Sequence, residues 1–353
     1  MDLDDTSAFP ELDQEDMLGQ INGLPDQLED AWNMGLSLSL PDWSGIQRVV
    51  ISGMGGSAIG ADLLNAYIED RVQVPVIVHR DYGLPAWASG PETLMIASSH
   101  SGNTEETLSG FQIAVERGCR TLAITTNGKL RQAAQEVESG LWIFEHSGQP
   151  RAAVGFSFRL LLAAFTRLGL IPDPGSAVQV AARAMRHQQE TLKPEVPVIH
   201  NPAKRLAGQL IGRWVVIMGS DLLAPVARRW KGQISEVAKA WAQFEFLPEA
   251  NHNTLAGTQN PEALFNQMMA IFLRAPSNQP RDLLRSEITQ RTFLLEGMNA
   301  DAVEGIGDTP IEQLWTCLHF GDYTAYYLAM AYGVDPTPVA ALESLKKELK
   351  ARP

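Results

Sequence analysis

The sequence predicts an α/β fold of two similar units, each a three-layer arrangement in which helices cover both faces of a parallel sheet. From about residue 47, short β-branched runs alternate with helical stretches, as is typical of parallel sheets. The runs are almost continuously apolar, so both faces of each strand are expected to be buried. At 353 residues the chain is long enough for two domains, since a domain usually holds about 100–200 residues.

The first unit is predicted to span residues 41–195. Its strands are expected at 48–51, 74–78, 93–97, 121–125 and 141–144. Its helices are expected at 59–67, 105–116, 129–137, 156–168 and 177–191. Residues 1–40 are predicted to form an acidic helical arm laid across a domain, because apolar residues recur there at helical spacing: Leu18, Ile21, Leu24 and Leu28.

Prolines separate the two units. Pro172 and Pro174 interrupt the chain first, and the boundary is placed at a later interruption by Pro194, Pro197 and Pro202. The second unit, residues 203–353, is expected to contain strands at 214–218, 243–247 and 268–273. Its helices are expected at 223–235, 311–332 and 340–350, and the apolar residues of the 311–332 helix fit a core stripe.

Composition and charge argue against several classes of function. The net charge of −13 argues against broad nucleic-acid binding and against attraction to a phosphate-rich membrane surface. Cys119 and Cys317 form no CxxC pair, so neither a disulfide framework nor a thiolate zinc site is expected, and a reducing cytoplasm fits. The seven histidines lack metal-binding spacing, and no metal is predicted. No membrane span or signal peptide is expected either.

A glycine-rich loop, residues 52–60, follows the first predicted strand. Its glycines allow turns that bring backbone N–H groups close to a ligand, and the start of the next helix favours an anion. Ser57 adds a hydroxyl. Residues 53–58 also match the dinucleotide fingerprint, although the next strand ends in His-Arg-Asp at 79–81, which fits that fingerprint poorly. This loop alone leaves a phosphosugar, a dinucleotide and a turn without a ligand as open alternatives.

A second loop, residues 97–107, follows the third predicted strand and distinguishes between these alternatives. Ser99, Ser101 and Thr104 are spaced so that a tight turn into a helix aims three hydroxyls at one point, and Gly102 permits that turn. A helix N-cap needs only one hydroxyl. Three hydroxyls and free backbone N–H groups satisfy a phosphate without a basic side chain, so this loop favours phosphate binding.

The two loops, GMGGSAIGAD and SSHSGNTEET, resemble the sugar isomerase (SIS) domain. Later segments are more closely similar to the bifunctional phosphoglucose/phosphomannose isomerases, and the resemblance runs in order from about residue 50 to the C-terminus. These segments are GQPRA at 148–152, WKGQISEVAK at 230–239, PEANHN at 248–253, and GVDPTPV at 333–339 followed by Leu-Lys at 345–346. The resemblance implies two SIS subdomains in a protomer, a homodimer, a sugar-phosphate substrate and no cofactor.

The resemblance also implies the roles of individual residues. The residues that would hold the phosphosugar are Gly56, Ser57, Ser99, Ser101 and Thr104. Glu236 would be the base that moves a proton between C1 and C2, and Arg151 would stabilise the cis-enediolate. His252 and Lys346 would open the sugar ring, with Lys347 as the alternative lysine.

The sequence departs from the family pattern near the base, where Ser235 and Val237 stand in place of the usual asparagines. His100 occupies a position where the family often has an aromatic residue, and we interpret it as incidental. Spacing alone would make Glu236 the helical ion-pair partner of Lys239 or Lys231, and only the resemblance makes it a base.

The predicted function is an aldose–ketose isomerase. It would interconvert glucose 6-phosphate and/or mannose 6-phosphate with fructose 6-phosphate in the cytoplasm, within glycolysis and gluconeogenesis. The alternatives are a non-catalytic sugar-phosphate-binding regulator and, from the first loop alone, a dinucleotide-dependent oxidoreductase.

Overall fold

The computed structural model describes residues 2–352, and its N-terminal segment is helical. The helices of this segment are α1 (Phe9–Leu12), α2 (Met17–Asn22) and α3 (Leu24–Ser37). Gly23 separates α2 from α3, and its amide closes the end of α2. Pro25, which has no N–H to donate, stands in the first turn of α3 where that N–H is not needed. Leu28 and Trp32 bury α3 against two later helices.

The strands of the first sheet are all parallel, as predicted. They are β1 (Arg48–Ser52), β2 (Val76–His79), β3 (Thr93–Ser99), β4 (Arg120–Thr125) and β5 (Gly140–Ile143). Their spatial order is β2-β1-β3-β4-β5. Because this order reverses at β1, the loops that follow β1 and β3 lie side by side at the carboxyl edge of the sheet, which is where open α/β sheets bind ligands.

Helices cover both faces of this sheet, which gives the predicted three layers. The helices of this unit are α4 (Gly55–Ile68), α5 (Glu105–Glu116), α6 (Gly128–Glu136), α7 (Val154–Arg167) and α8 (Ala177–Leu192), the last of which packs on α3 and α12. Alternate side chains of β3 enter different cores, as the period of a strand requires. Leu94 and Ile96 pack in the core that contains α4 and α7, whereas Met95 and Ala97 pack with α5 and α6.

The second sheet is also entirely parallel, with the order β7-β6-β8-β9. Its strands are β6 (Trp214–Ser220), β7 (Ala242–Leu247), β8 (Met268–Arg274) and β9 (Asn299–Glu304). The helices of this half are α9 (Pro202–Leu210), α10 (Ala224–Glu236), α11 (Pro280–Leu295), α12 (Pro310–Tyr332) and α13 (Ala340–Lys350). The strand β9 was not predicted because it is a half-buried edge strand without an apolar run.

Two of these helices, α9 and α11, were also missed, and the prediction that Pro202 breaks the chain is wrong. Both helices begin at a proline, Pro202 or Pro280, at the first helical position where its missing N–H costs nothing. The side chains of Asn201 and Gln279 accept hydrogen bonds from first-turn amides and cap the two helices. These prolines therefore mark helix starts.

The long helix α12 is buried on nearly every side and packs against α2, α8, α9 and α10. Its contact with α10 is tight, because Gly321 lies against the indole of Trp230. A Cβ at Gly321 would lie 2.1 Å from Trp230 Nε1, and the same Nε1 donates to the carbonyl of Cys317 over 3.0 Å. Within residues 2–352, no helix is both long and apolar enough to cross a membrane.

Gly321→Ala is expected to lower the free energy of unfolding by about 1–3 kcal/mol, because the added methyl group overlaps the Trp230 indole and overpacks the helix crossing. Gly208→Ala in α9 is the matched control, since a Cβ there meets no atom within 4 Å. Better helix propensity should make that control more stable by up to about 1 kcal/mol. Urea unfolding measures both variants, and an unchanged midpoint for Gly321→Ala would contradict the tight crossing.

Candidate active site

The glycine-rich loop after β1 and the serine-rich loop after β3 are in direct contact. Ser57, buried at the start of α4, accepts a hydrogen bond from the backbone N–H of His100 over 3.3 Å. A Cβ at Gly53 would lie only 2.8 Å from the carbonyl oxygen of Ser98, so the first loop requires glycine there. Because α4 and α5 both begin beside this crevice, the positive ends of two helices lie next to it.

The serine-rich loop holds two of its three hydroxyls together. Ser99 Oγ and Thr104 Oγ1 are 2.9 Å apart, and Ser99 Oγ also accepts from the amide of Gly102 over 3.1 Å. Thr104 is the N-cap residue of α5, but its side chain caps none of the first-turn amides. Those N–H groups are thus available to an anion. Ser101 is exposed, and its Oγ accepts from the amide of Asn103 instead.

Gly56 connects the first loop to the turn that carries Arg151. A Cβ at Gly56 would lie 2.7 Å from the carbonyl oxygen of Pro150 and 3.3 Å from Arg151 Cα. The short 3₁₀ turn Pro150–Ala152 therefore packs directly on the start of α4, and α7 begins immediately after it. Because Gly56 has no side chain, Arg151 can approach the glycine-rich loop after β1 and the serine-rich loop after β3.

The guanidinium of Arg151 is almost fully buried and is held by hydrogen bonds to the C-terminal segment. Its Nη2 donates to the carbonyls of Pro336 over 2.9 Å and Thr337 over 2.5 Å. The carbonyl of Arg151 itself accepts from Arg229 Nη1 over 2.6 Å, and Arg229 forms a buried bidentate pair with Asp322. Burial lowers the pKa of Arg151, and the nearby Glu236 carboxylate partly opposes this.

Glu236 is the last residue of α10, and its carboxylate faces Arg151. Glu236 Oε2 is 3.8 Å from Arg151 Nη1, and about a third of the Glu236 side chain is exposed. Sequence spacing suggested an ion pair with Lys239 or Lys231, but the carboxylate pairs with Arg151 from the other unit. Lys239 instead donates its Nζ to the backbone carbonyl of Glu236 over 2.6 Å. The structure thus brings together the predicted base and the predicted oxyanion-stabilising cation.

The two predicted ring-opening residues lie elsewhere in the chain. His252 is exposed and follows the short turn Glu249–Asn251 beyond β7. Lys346 and Lys347 lie on α13, where no residue is buried. Among residues 2–352, no hydrogen bond or ion pair joins these side chains to Arg151 or Glu236. The same described residues contain no group of three or more His, Cys, Asp or Glu side chains placed to hold a metal ion.

A histidine pair beside the serine-rich loop was not foreseen from the sequence, which treats His100 as incidental. His100 Nε2 lies 3.0 Å from His146 Nδ1, and the His100 ring packs edge-on against Phe144. Burial, and then the neighbouring His146, lower the pKa of His100 to about 4, while burial also lowers the pKa of His146. Both rings are therefore neutral at pH 7. Because β3 and β5 are parallel, the loops after them emerge at one edge, which could have indicated this proximity.

His100→Phe is expected to reduce the loss of stability on acidification. The pKa of His100 is about 4 in the fold instead of its usual 6.5, so the unfolded chain binds more protons and stability falls as the pH drops through this window. Between about pH 7.5 and about pH 5, the share of the loss due to His100 is on the order of 1 kcal/mol after allowance for solvent screening. Urea unfolding at both pH values measures the loss of unfolding free energy in wild type and variant. Substitution of the exposed His187, as His187→Gln, is the control. Equal pH dependence in wild type and His100→Phe would contradict a neutral, half-buried imidazole at His100.

Known protein families match both halves of the chain. The SIS domain matches residues 44–138, and the bacterial phospho-glucose isomerase C-terminal SIS domain matches residues 199–349. A hypothetical protein from Thermus thermophilus has a TM-score of 0.73 at 18% identity, covering 95% of this chain and 90% of that one. A glucose-6-phosphate isomerase like protein from the same organism has a TM-score of 0.62 at 21% identity, covering 96% and 98%. These likenesses show a fold of two SIS-type units.

Curated relatives match almost the whole chain. A bifunctional phosphoglucose/phosphomannose isomerase from Caldicellulosiruptor bescii is 38% identical, covering 94% of this chain and 98% of its own. An enzyme of the same name from Aquifex aeolicus is 33% identical, covering 88% and 92%. The chain therefore belongs to the family of bifunctional phosphoglucose/phosphomannose isomerases.

Proposed function

We propose that this protein interconverts both glucose 6-phosphate and mannose 6-phosphate with fructose 6-phosphate. The observation that carries the proposal is the 3.8 Å approach of Arg151 to the Glu236 carboxylate, beside two loops suited to a phosphate. Family membership supports the same reaction, because the relatives at 33–38% identity are named for both sugars. A non-catalytic regulator would need no such pair of carboxylate and cation, so it is not favoured.

The proposed chemistry is a proton transfer between C1 and C2 through a cis-enediolate. Glu236 takes the proton from one carbon and returns it to the other, which general base catalysis accelerates by roughly 10²–10⁴-fold. Negative charge develops on the substrate oxygens, and the guanidinium of Arg151 is held in place to stabilise it. Glucose and mannose 6-phosphates differ only at C2, which becomes planar in the enediolate, so one site serves both.

The substrate phosphate is proposed to bind between the two loops at the carboxyl edge of the first sheet. The hydroxyls of Ser57, Ser99 and Thr104 and the first-turn amides of α4 and α5 are the donors, with Ser101 at the exposed rim. Gly56 leaves room for the backbone to approach the ligand. Binding energy from this remote phosphate orients the reacting carbons toward Glu236.

Sugar rings must open before isomerisation, and His252 and Lys346 are proposed for this step. Both are exposed, and within residues 2–352 neither forms a hydrogen bond or an ion pair with the Glu236 side chain. The proposal therefore includes a homodimer in which a second copy helps to complete each site. An unburied apolar stripe on α13 supports such an association, since an amphipathic helix normally packs on a partner. The stripe consists of Leu342, Leu345 and Leu349.

A cytoplasmic location and a place in glycolysis and gluconeogenesis are part of the same proposal. Cys119 and Cys317 are both free thiols, which supports a reducing compartment. The proposed substrates and product are hexose phosphates, whose interconversion serves sugar breakdown and sugar synthesis.

Glu236→Gln is expected to lower kcat by about 10²–10⁴-fold for both aldose phosphates, because the amide cannot accept the proton from carbon. The KM should change by less than about threefold, since the phosphate loops are intact. A coupled assay that detects fructose 6-phosphate measures both constants.

The control for this variant is Glu287→Gln, an exposed glutamate on α11 that is not among the hydrogen-bond or ion-pair partners of Arg151. A wild-type protein that produces no fructose 6-phosphate from either substrate would refute the proposed function. A Glu236→Gln variant with nearly normal kcat would leave the function standing and refute the base.

Thr104→Val is expected to raise KM about tenfold while kcat changes less than about twofold, because one of several phosphate donors is lost and the remaining donors still orient the substrate, so that the ground state and the transition state lose the same binding energy. Thr292→Val is the control, since that hydroxyl donates only to a backbone carbonyl within α11. Initial-rate kinetics with each sugar phosphate separate the two constants. An unchanged KM would exclude Thr104 from phosphate binding.

A further inference from the structure

Lys239 has an unusual backbone conformation directly beside the candidate base. Its φ is +55°, in the left-handed region where glycine or asparagine is the usual residue. This conformation reverses the chain after α10 and turns the lysine side chain back toward the end of the helix. Its Nζ lies 2.6 Å from the carbonyl oxygen of Glu236 and 3.4 Å from that of Val237. Left-handed backbone strain at a residue other than glycine often occurs at functional sites, so the strain at Lys239, three residues after Glu236, points to a function.

The charged groups that act on the Lys239 amine belong to the candidate active site. They are the guanidinium of Arg151 from the first unit, the carboxylate of Glu236 from α10 and the carboxylate of Asp335 from the C-terminal segment. Protein atoms around the amine displace water and, together with the positive charge of Arg151, lower the pKa of Lys239 to about 8. The residue is nevertheless exposed, so a substrate has access to it.

A purely structural role explains only part of these observations. A lysine near a helix C-terminus stabilises the last carbonyls, and both hydrogen bonds of Lys239 fit that role. That role does not require a left-handed lysine, because glycine adopts this conformation without strain. It also does not account for the charges that act on the amine, which come from Arg151, Glu236 and Asp335.

The isomerisation moves a second proton besides the one that Glu236 carries. While the carboxylate moves a proton between C1 and C2, another proton must move between the oxygens O1 and O2. Arg151 is unsuited to this step because a guanidinium does not release its proton near neutral pH. An ammonium that titrates near pH 8 is well matched to give and recover a proton.

We propose that Lys239 is a further catalytic residue that transfers this second proton. As Glu236 removes the proton from C2, the C1=C2 bond forms, the carbonyl π electrons move to O1, and O1 takes a proton from the Lys239 ammonium. The neutral amine then removes the proton from O2, the C2=O2 bond forms, and C1 takes the proton from Glu236. Both residues return to their starting forms. This inference rests on the proposed isomerase function.

The experiment compares the variants Lys239→Gly and Lys239→Arg with a control, Lys231→Gln. The control replaces a lysine within α10, the helix that ends at Glu236. Lys239→Gly removes the amine and also relieves the left-handed strain, so it should fold with an unchanged or higher melting temperature. Its kcat should fall by about 10²-fold or more, with KM within about threefold of wild type. Millimolar methylammonium should restore part of the lost rate to Lys239→Gly and none to Glu236→Gln. Lys231→Gln should behave as wild type.

The pH profile supplies a readout that a structural role would not move. In the wild type, kcat/KM should fall as the pH rises through about 8, because the ammonium is lost. Lys239→Arg should lose this alkaline limb and most of the rate, since the guanidinium stays charged but cannot exchange the proton. An active wild type together with a Lys239→Gly variant of near-normal kcat and an unshifted profile would overturn the inference alone. A wild type without isomerase activity would overturn the proposed function and the inference together.

Discussion

The guanidinium of Arg151 lies where three distant parts of the chain meet. It donates to the carbonyls of Pro336 and Thr337 and faces the Glu236 carboxylate at 3.8 Å. The turn that carries it is bound in addition by Arg229. A buried cation is costly unless it is paired and hydrogen-bonded. Since the first unit, α10 and the C-terminal segment each satisfy part of this charge, their relative positions depend on one another.

This arrangement separates substrate binding from chemistry. The glycine-rich and serine-rich loops, which are suited to a phosphate, follow β1 and β3 of the first sheet. The strand order reverses at β1, so the ends of these two strands lie side by side. The candidate base comes from the second unit and reaches the same crevice because α10 packs against α4. Gly56 is central to this geometry, since any side chain there would collide with the turn that holds Arg151.

The local elements were predicted well where sequence pattern and packing agree. The helix 105–116 has the predicted bounds, because its apolar residues recur at helical spacing and Thr104 precedes its first turn. The edge strand β9 and the helix α11 were missed for the opposite reason. Much of α11 is exposed, and its stabilising features are Pro280 at the start and the capping side chain of Gln279. A prediction that treats every proline as a helix breaker misses a helix whose first residue is proline.

By itself the sequence determined the two parallel sheets, the glycine- and hydroxyl-rich turns after β1 and β3 and, through resemblance, the candidate base Glu236. These features follow from periodicity and from the backbone preferences of neighbouring residues, which short segments encode. Only the tertiary structure decided that Glu236 pairs with Arg151 rather than Lys239 and that His100 meets His146. It also decided that the amine of Lys239 donates to the backbone carbonyl of Glu236. Such contacts join residues far apart in the chain or depend on one left-handed φ, and neither strand order nor a single dihedral angle can be derived from spacing.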